Sequence, residues 1–570
     1  MVAALRRLIG PAPASTHGAP RARRRAASPG AWLARTAVVG LFVLPLAAAL
    51  VLALREAASA AAWQALWTDP QWAPALASSL GSAGVSTLLA LALTMVLVTA
   101  LHGSPAWARL STSLAPLLAV PHAAFAIGLA WLIAPTGALA RALAPLVGWA
   151  APPAWATVND PHAFGLTLVL ALKETPFLLW SVAALLARPE LAARLAAEQR
   201  IARTLGHGPR AWWWRAGWPQ LLPLLAWPLL AVLAYGLTVV DLALIVGPTT
   251  PPTAAVLAWQ DLQHADPLRN ARGAAGAVAL ALLLAALLAL VAMGWPALRR
   301  AWTSAAVGGR RAPVVRRTAW RVVTGGLWWT LPGLYAAVGV VLLLLGVAGP
   351  WPFPDAWPSA FTPMGWQAVA ASLGTVGFTA ALALGSTTIA LVLVAAWLES
   401  TPARWDARVT PVVLAPLVLP PLMLMTGLYQ GALHLRLDAR AAGVLWAHVL
   451  VVLPYVFIVL RPAWRDLDPR LAQTAATLGR SRWAFRWQVQ RPLLAAPIAG
   501  AAAVGFAVST GQFLATQMLG AGRLPTVTTE AVTLASGGDR RTAAAFALLQ
   551  ALLPLLAFGA ARLVHRRAVR

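Results

Sequence analysis

The sequence predicts an all-α polytopic membrane protein of about twelve transmembrane helices in two repeated six-helix halves. Three observations carry this: apolar composition, regularly spaced apolar windows, and an internal match of glycine, proline and tryptophan positions. Of 570 residues 60% are hydrophobic and 11% charged, against roughly 25% charged in an ordinary soluble domain. A spanning helix needs about 20 mostly apolar residues, so this length holds about a dozen spans with their loops and no large extramembrane domain beside them.

Apolar windows bounded by charge or by Pro/Gly clusters place spans near 33–54, 76–101, 113–134, 164–186, 223–246 and 273–296. A second set falls near 327–348, 367–398, 411–433, 444–460, 497–519 and 542–563. The predicted layout is a basic cytoplasmic N-terminus (1–32), a first half (33–296), a basic cytoplasmic linker (297–326), a second half (327–563) and a cytoplasmic tail (564–570). Ala58-Ser59-Ala60 resembles a signal-peptide cleavage site. The apolar run before it is longer than the roughly 7 to 15 residues of a signal-peptide core, which favours a retained anchor.

The net charge of +27 would suggest nucleic acid in a soluble chain, but here it follows topology. Arginines concentrate at Arg6, Arg7, Arg21 and Arg23 to Arg25, in 188–215, in the linker (Arg299, Arg300, Arg310, Arg311, Arg316, Arg317, Arg321), in 461–491 and at Arg566, Arg567 and Arg570. All fall on one side of the predicted spans, as the positive-inside bias requires. Both termini are therefore expected in the cytoplasm, the lipid bilayer is the partner, and nucleic acid is not.

Shifting the sequence by 273 positions superimposes Arg188-Pro189 on Arg461-Pro462, Thr204-Leu205-Gly206 on Thr477-Leu478-Gly479, and Trp214 on Trp487. The same shift pairs Pro219 with Pro492, Gly247 with Gly520 and Pro252-Thr253 with Pro525-Thr526, without a gap. Ala/Leu-rich runs produce chance identities, but not aligned Gly, Pro and Trp. Equal span numbers make this a parallel repeat, of the kind that frames a transport pathway about an axis along the membrane normal.

The long cytoplasmic loop after the fourth span of each half carries a glycine followed thirteen positions later by a proline: Gly206 with Pro219, Gly479 with Pro492. Leu191, Leu195, Glu198, Ala202 and Leu205 recur at helical spacing before the first glycine. The glycine suits a left-handed helix end, and the proline suits the first turn of the next span. Between them a short helix carrying Arg210, Trp212, Trp213, Trp214 and Arg215, or Arg482, Trp483, Phe485 and Arg486, is expected to project from the membrane. Its composition also fits an interfacial helix; its repetition in both halves favours a docking knob.

This pattern resembles the cytoplasmic EAA loop of binding-protein-dependent ABC importer permeases, closest to the fused two-half type of the iron(III), thiamine and polyamine transport groups. The resemblance assigns Ala202, Gly206 and Pro219, and Ala475, Gly479 and Pro492, to ATPase docking. The motif's glutamate is replaced by Arg200 and Gln473, and its first alanine by Ile201 and Thr474. The resemblance implies a type I importer-like permease in a bacterial inner membrane, working with two ATP-binding cassette ATPase subunits and a periplasmic solute-binding protein. That protein would deliver solute to the loops at 247–272 and 520–541.

The single lysine, Lys173, lies in an apolar run without the Gly-rich turn of a phosphate-binding loop, so ATP hydrolysis is expected from a separate chain. No catalytic residue, cofactor or metal is expected; the nine histidines have no metal-ligand spacing and there is no cysteine. Lys173 and Glu174 fall inside the fourth span, where a charged side chain costs about 2.5 to 3.5 kcal/mol on insertion scales. They are pathway candidates, with a self-contained pair or a misplaced span boundary as the other reading. Asp241 is a third pathway candidate, although its place near the outer end of the fifth span favours a wet loop edge. His102, His122, His162 and His207 read as loop or interfacial residues.

The alternative to an ATP-driven permease is a proton-coupled secondary transporter of the major facilitator type, which shares twelve spans in parallel halves. Its acidic loop between the second and third spans is lacking: here His102 to Arg109 contains no acid.

Overall fold

Long runs of Ala, Leu and Val with few interior breakers satisfy their own backbone hydrogen bonds only as helices once water is excluded. A computed structural model describes residues 29–307 and 326–569, and every named element among them is helical. The arginines expected before residue 29, at 310–321 and at 570 lie outside the described residues.

Eleven described helices are long and apolar enough to cross a membrane, and a bent pair, Ala403–Val418 with Pro421–His434, would make a twelfth. Several match the sequence windows closely, among them Gly30–Glu56, Phe164–Leu186, Thr330–Val347 and Ala441–Arg465. The last helix of the first half, Pro267–Val307, continues past residue 296 into the segment expected to be linker.

The third span departs from expectation in both halves. In place of unbroken helices over 113–134 and 411–433, Pro105–Ala119 is followed by His122–Ile133, and Ala403–Val418 meets Pro421–His434 at 97°. The residue before each proline is pushed out of the helical region: Val120 before Pro121 has ψ 122°, and Leu419 before Pro420 has ψ 139°. The fifth span breaks as well. Helix ends at Thr238 and resumes over Asp241–Val246; in the second half it ends at Thr510 and resumes over Leu514–Gly520.

After each break the chain forms one more short helix on the face away from the basic loops, Ala254–Leu262 or Val527–Ser536. Both are tied to the second span of their own half by one equivalent bond. The Ala254 N–H donates to Ser79 Oγ at 2.9 Å, and the Val527 N–H to Thr379 Oγ1 at 3.0 Å.

Chain order and packing differ at the first helix of each half. Val38, Phe42, Leu46, Ala49 and Ala53 are buried in one core with second-half residues such as Leu422, Leu424 and Leu428. Leu331, Tyr335, Val338 and Leu342 are buried in the other with Phe125, Leu129 and Leu166. Each first helix therefore packs across onto the other half, the second of them while also lying along its own half's last span, Arg540–Val569. Glycines permit the close approach: a Cβ at Gly427 would stand 1.7 Å from the Ala49 carbonyl oxygen, and one at Gly128 would stand 2.6 Å from Val338 Cγ1.

Candidate functional site: the paired loops and the polar interior

The motif residues Ala202 and Gly206 are the two ends of one helix-closing structure. Helix Pro189–Thr204 stops at Gly206, whose φ of +80° a side chain would resist. The next N–H, of His207, turns back to the Ala202 carbonyl at 2.8 Å, and the Gly206 N–H bonds the Arg203 carbonyl at 3.0 Å. The second copy repeats this. Helix Pro469–Thr477 ends at Gly479, with φ +70°, and the Arg480 N–H reaches the Ala475 carbonyl at 2.9 Å. A six-to-one closure of this kind needs its carbonyl and its left-handed residue four positions apart, which explains the spacing in both halves.

The prolines do not start a new helix after a separate short one. A nearly continuous helical segment runs over Pro209–Thr238 in one half and Arg482–Thr510 in the other, and a single π turn precedes each proline. These turns, Trp213–Gly217 and Arg486–Gln490, occupy equivalent positions in the repeat. The Trp218 N–H bonds the Trp213 carbonyl, and the Arg491 N–H bonds the Arg486 carbonyl. Proline inside a regular helix loses its own bond and crowds the carbonyl four residues back; the wider turn just before it relieves that crowding.

The two copies differ in support. In the first, Trp212, Trp213 and Trp218 are buried, Trp218 Nε1 donates to Thr99 Oγ1 at 2.9 Å, and Trp302 Nε1 donates to the Trp214 carbonyl at 2.8 Å. His102 packs edge-on against Trp107 and Trp213. In the second copy no residue of the loop helices is buried, and support comes from an Arg486–Glu399 ion pair and from Arg491 over the Trp487 ring at 3.4 Å. At equivalent positions beside each glycine stand two well exposed leucines, Leu205 (71%) and Leu478 (73%). Their exposure at repeated sites is a feature that apolar periodicity alone reads as core.

Lys173 and Glu174 are both buried in the middle of Phe164–Leu186, so the span boundary stands, but they do not pair with each other. Lys173 Nζ donates to the Leu117 carbonyl at 3.2 Å and lies 5.5 Å from the centre of the Tyr335 ring. Glu174 Oε1 instead meets His122 Nε2 at 3.1 Å. His122 is thus an interior residue, at the break of the third span, rather than a loop or interfacial one. Its ring also lies 4.9 Å from that of Tyr235.

Asp241 is the first residue after the break of the fifth span, at the start of Asp241–Val246, and is half-buried there. The second half has no matching charges. It holds a neutral network in which His448 bonds Ser509 Oγ at 2.8 Å and Thr516 Oγ1 at 2.9 Å. Among the described residues no group of three His, Cys, Asp or Glu side chains is placed to hold a metal ion.

No family model matches the chain. It is 36% identical over 538 residues to the inner membrane ABC transporter permease protein YnjC of Escherichia coli K12, covering 93% of this chain and 95% of that one. It is also 30% identical over 202 residues to the molybdenum transport system permease protein ModB of Mycobacterium tuberculosis, covering 33% of this chain and 75% of the relative. ModB of Azotobacter vinelandii is 32% identical over 171 residues, covering 27% and 74%.

Proposed function

Because this chain belongs to the permease subunits of ABC transporters, we propose that it lines the translocation pathway of an ATP-driven importer and is driven through its two EAA-like loops. Membership of that family decides against the major facilitator alternative, and it implies ATPase subunits and a binding protein as partners in general terms. The finer reading is one ATPase subunit under each loop, 190–222 and 463–496, with both termini and the 297–326 linker in the cytoplasm of a bacterial inner membrane. A soluble binding protein would deliver solute to 247–272 and 520–541 on the other side.

The observation that carries this reading is the repeated closure of Ala202 on Gly206 and Ala475 on Gly479, each followed by a π turn and by Pro219 or Pro492. Two loop helices closed in the same way, each followed by a segment that runs into a span through one π turn, can pass a rigid-body movement of a partner into the membrane. The chain's own halves, 33–296 and 327–563, would then alternate access around the interior that holds Lys173, Glu174 and Asp241. Catalysis of ATP hydrolysis is assigned to the partner.

The test is co-expression with a candidate ATPase and purification through a tag on this chain. The reading expects a stable complex whose ATPase activity rises with solute-loaded binding protein. Uptake driven in full by a proton gradient, with no ATPase bound, would reject it.

A further inference from the structure

Two consecutive residues of the fourth span take hold of the two sides of one break. The third span of the first half stops at Ala119 and resumes at His122, with Val120-Pro121 between. In a regular helix the Leu117 carbonyl would accept the N–H of residue 121, but proline has none to give. A buried carbonyl left without a donor inside a bilayer is costly. Lys173 Nζ donates to that carbonyl at 3.2 Å. The lysine is 2% exposed, and its ammonium also lies 5.5 Å from the centre of the Tyr335 ring, on the helix Thr330–Val347 that packs across from the second half.

Glu174 holds the other side of the break. Its Oε1 meets Nε2 of His122, the first residue of the resumed helix, at 3.1 Å. The signs of the two charges agree with the helix ends beside them. The ammonium stands at the C-terminal, partially negative end of Pro105–Ala119, and the carboxylate beside the N-terminal, partially positive end of His122–Ile133. Two charges that would each be costly within a membrane therefore both have protein partners at a single discontinuity.

The second half repeats the break but not the charges. Leu417, like Leu117, has a proline four positions later, Pro421. The shift of 273 sets Trp446 and Ala447 at the positions of Lys173 and Glu174. Trp446 Nε1 donates to the Leu41 carbonyl at 3.2 Å instead, and alanine has no polar group to offer.

We propose that Lys173 and Glu174 are positioning residues that clasp the third span of the first half in its broken form, Lys173 by occupying the carbonyl that Pro121 leaves unbonded and Glu174 by fixing His122. This goes beyond the ATP-driven reading, because it assigns the two charges within the fourth span to holding the shape of the first half rather than to contacting solute.

The test is a double-mutant cycle in the purified full chain, read by thermal unfolding. Pro121→Ala supplies the N–H that the Leu117 carbonyl lacks, which makes the lysine largely dispensable. Lys173→Met should lower the unfolding temperature with Pro121 in place, and by less than about half as much in the Pro121→Ala background, because the two residues serve the same carbonyl. Lys173→Arg, which keeps a charged donor, should retain most of the parent value. Where Lys173→Met does not accumulate, Lys173→Gln replaces it in the same cycle. The second readout is the distance between nitroxides at Thr112→Cys and Leu132→Cys, one on each side of the break in a chain with no other thiol. A single narrow distance is expected for the parent and for Lys173→Arg, and an added second population for Lys173→Met and for Glu174→Ala. Equal losses in the two backgrounds, as a lysine that only packs or only contacts solute would give, overturn the proposal, and so does an unchanged distance distribution in both variants. Neither readout uses an ATPase or a solute, so such a result would remove this inference and leave the importer reading in place.

Discussion

Replacing both Gly206 and Gly479 with valine is expected to abolish solute-stimulated ATPase activity and lower uptake at least tenfold while the chain still inserts and folds. Nothing lies within 4 Å of where a Cβ would stand at either position, so no clash is added. The effect is on the backbone. With φ near +80° and +70°, an L-residue costs roughly 1–2 kcal/mol in this region, and a β-branched one is worse placed still. The cheaper alternative is to leave the left-handed conformation, which breaks the bonds from His207 to Ala202 and from Arg480 to Ala475 and re-aims both exposed helices. Asparagine tolerates positive φ, so Gly206→Asn with Gly479→Asn should retain most activity. Valine variants that transport normally would show that helix closure at these glycines does not matter to coupling.

The largest effect on stability is expected at Arg272. Its guanidinium bonds Asp69 Oδ2 at 2.7 Å and both oxygens of Asp261 at 2.6 Å, with the two acid side chains 10% and 8% exposed. This clamp joins the turn before the second span, the short helix Ala254–Leu262 and the start of the last span of the first half. Arg272→Ala would strand two nearly buried carboxylates, a loss of about 3–5 kcal/mol for a broken buried pair. Arg272→Lys should recover only part of this, because an ammonium cannot reproduce the two-pronged contact. Arg272→Met combined with Asp69→Asn and Asp261→Asn should recover most of it, since no charge is then left unpaired. Thermal unfolding in detergent measures all three. A change below about 1 kcal/mol in Arg272→Ala would place the clamp with ordinary surface pairs.

Much of the fold was legible before any coordinates, because a bilayer makes composition a strong constraint. Apolar windows located Phe164–Leu186 and Thr330–Val347 almost to the residue, and the repeat identified Gly206 with Gly479 as equivalent. Four features escaped for definable reasons. Val120-Pro121 and Leu419-Pro420 sit in uninterrupted apolar sequence, so hydropathy passes through them although proline geometry turns the chain. The packing of the first helices across the two halves is decided by contacts such as Ala49 on Gly427, between segments far apart in sequence and equally apolar on every face. The pairing of Glu174 with His122 joins residues 52 positions apart and leaves no periodic trace. Only an isolated polar residue inside each apolar segment pointed to it. The π turns were hidden too, although the Gly-to-Pro spacing that they accommodate was in view.

The central claim is that a separate ATPase grips both loops at once. Leu205 and Leu478 report on it most directly, being equivalent, exposed and placed beside the two closing glycines in a chain with no other thiol to interfere once each is changed to cysteine. The measurement is the rate at which a membrane-impermeant maleimide labels Leu205→Cys and Leu478→Cys in inside-out vesicles, with and without the ATPase. Strong shielding of both sites by the ATPase is the predicted result. Equal labelling of both sites with and without a bound ATPase, or labelling from the outer face of intact cells, would contradict the account.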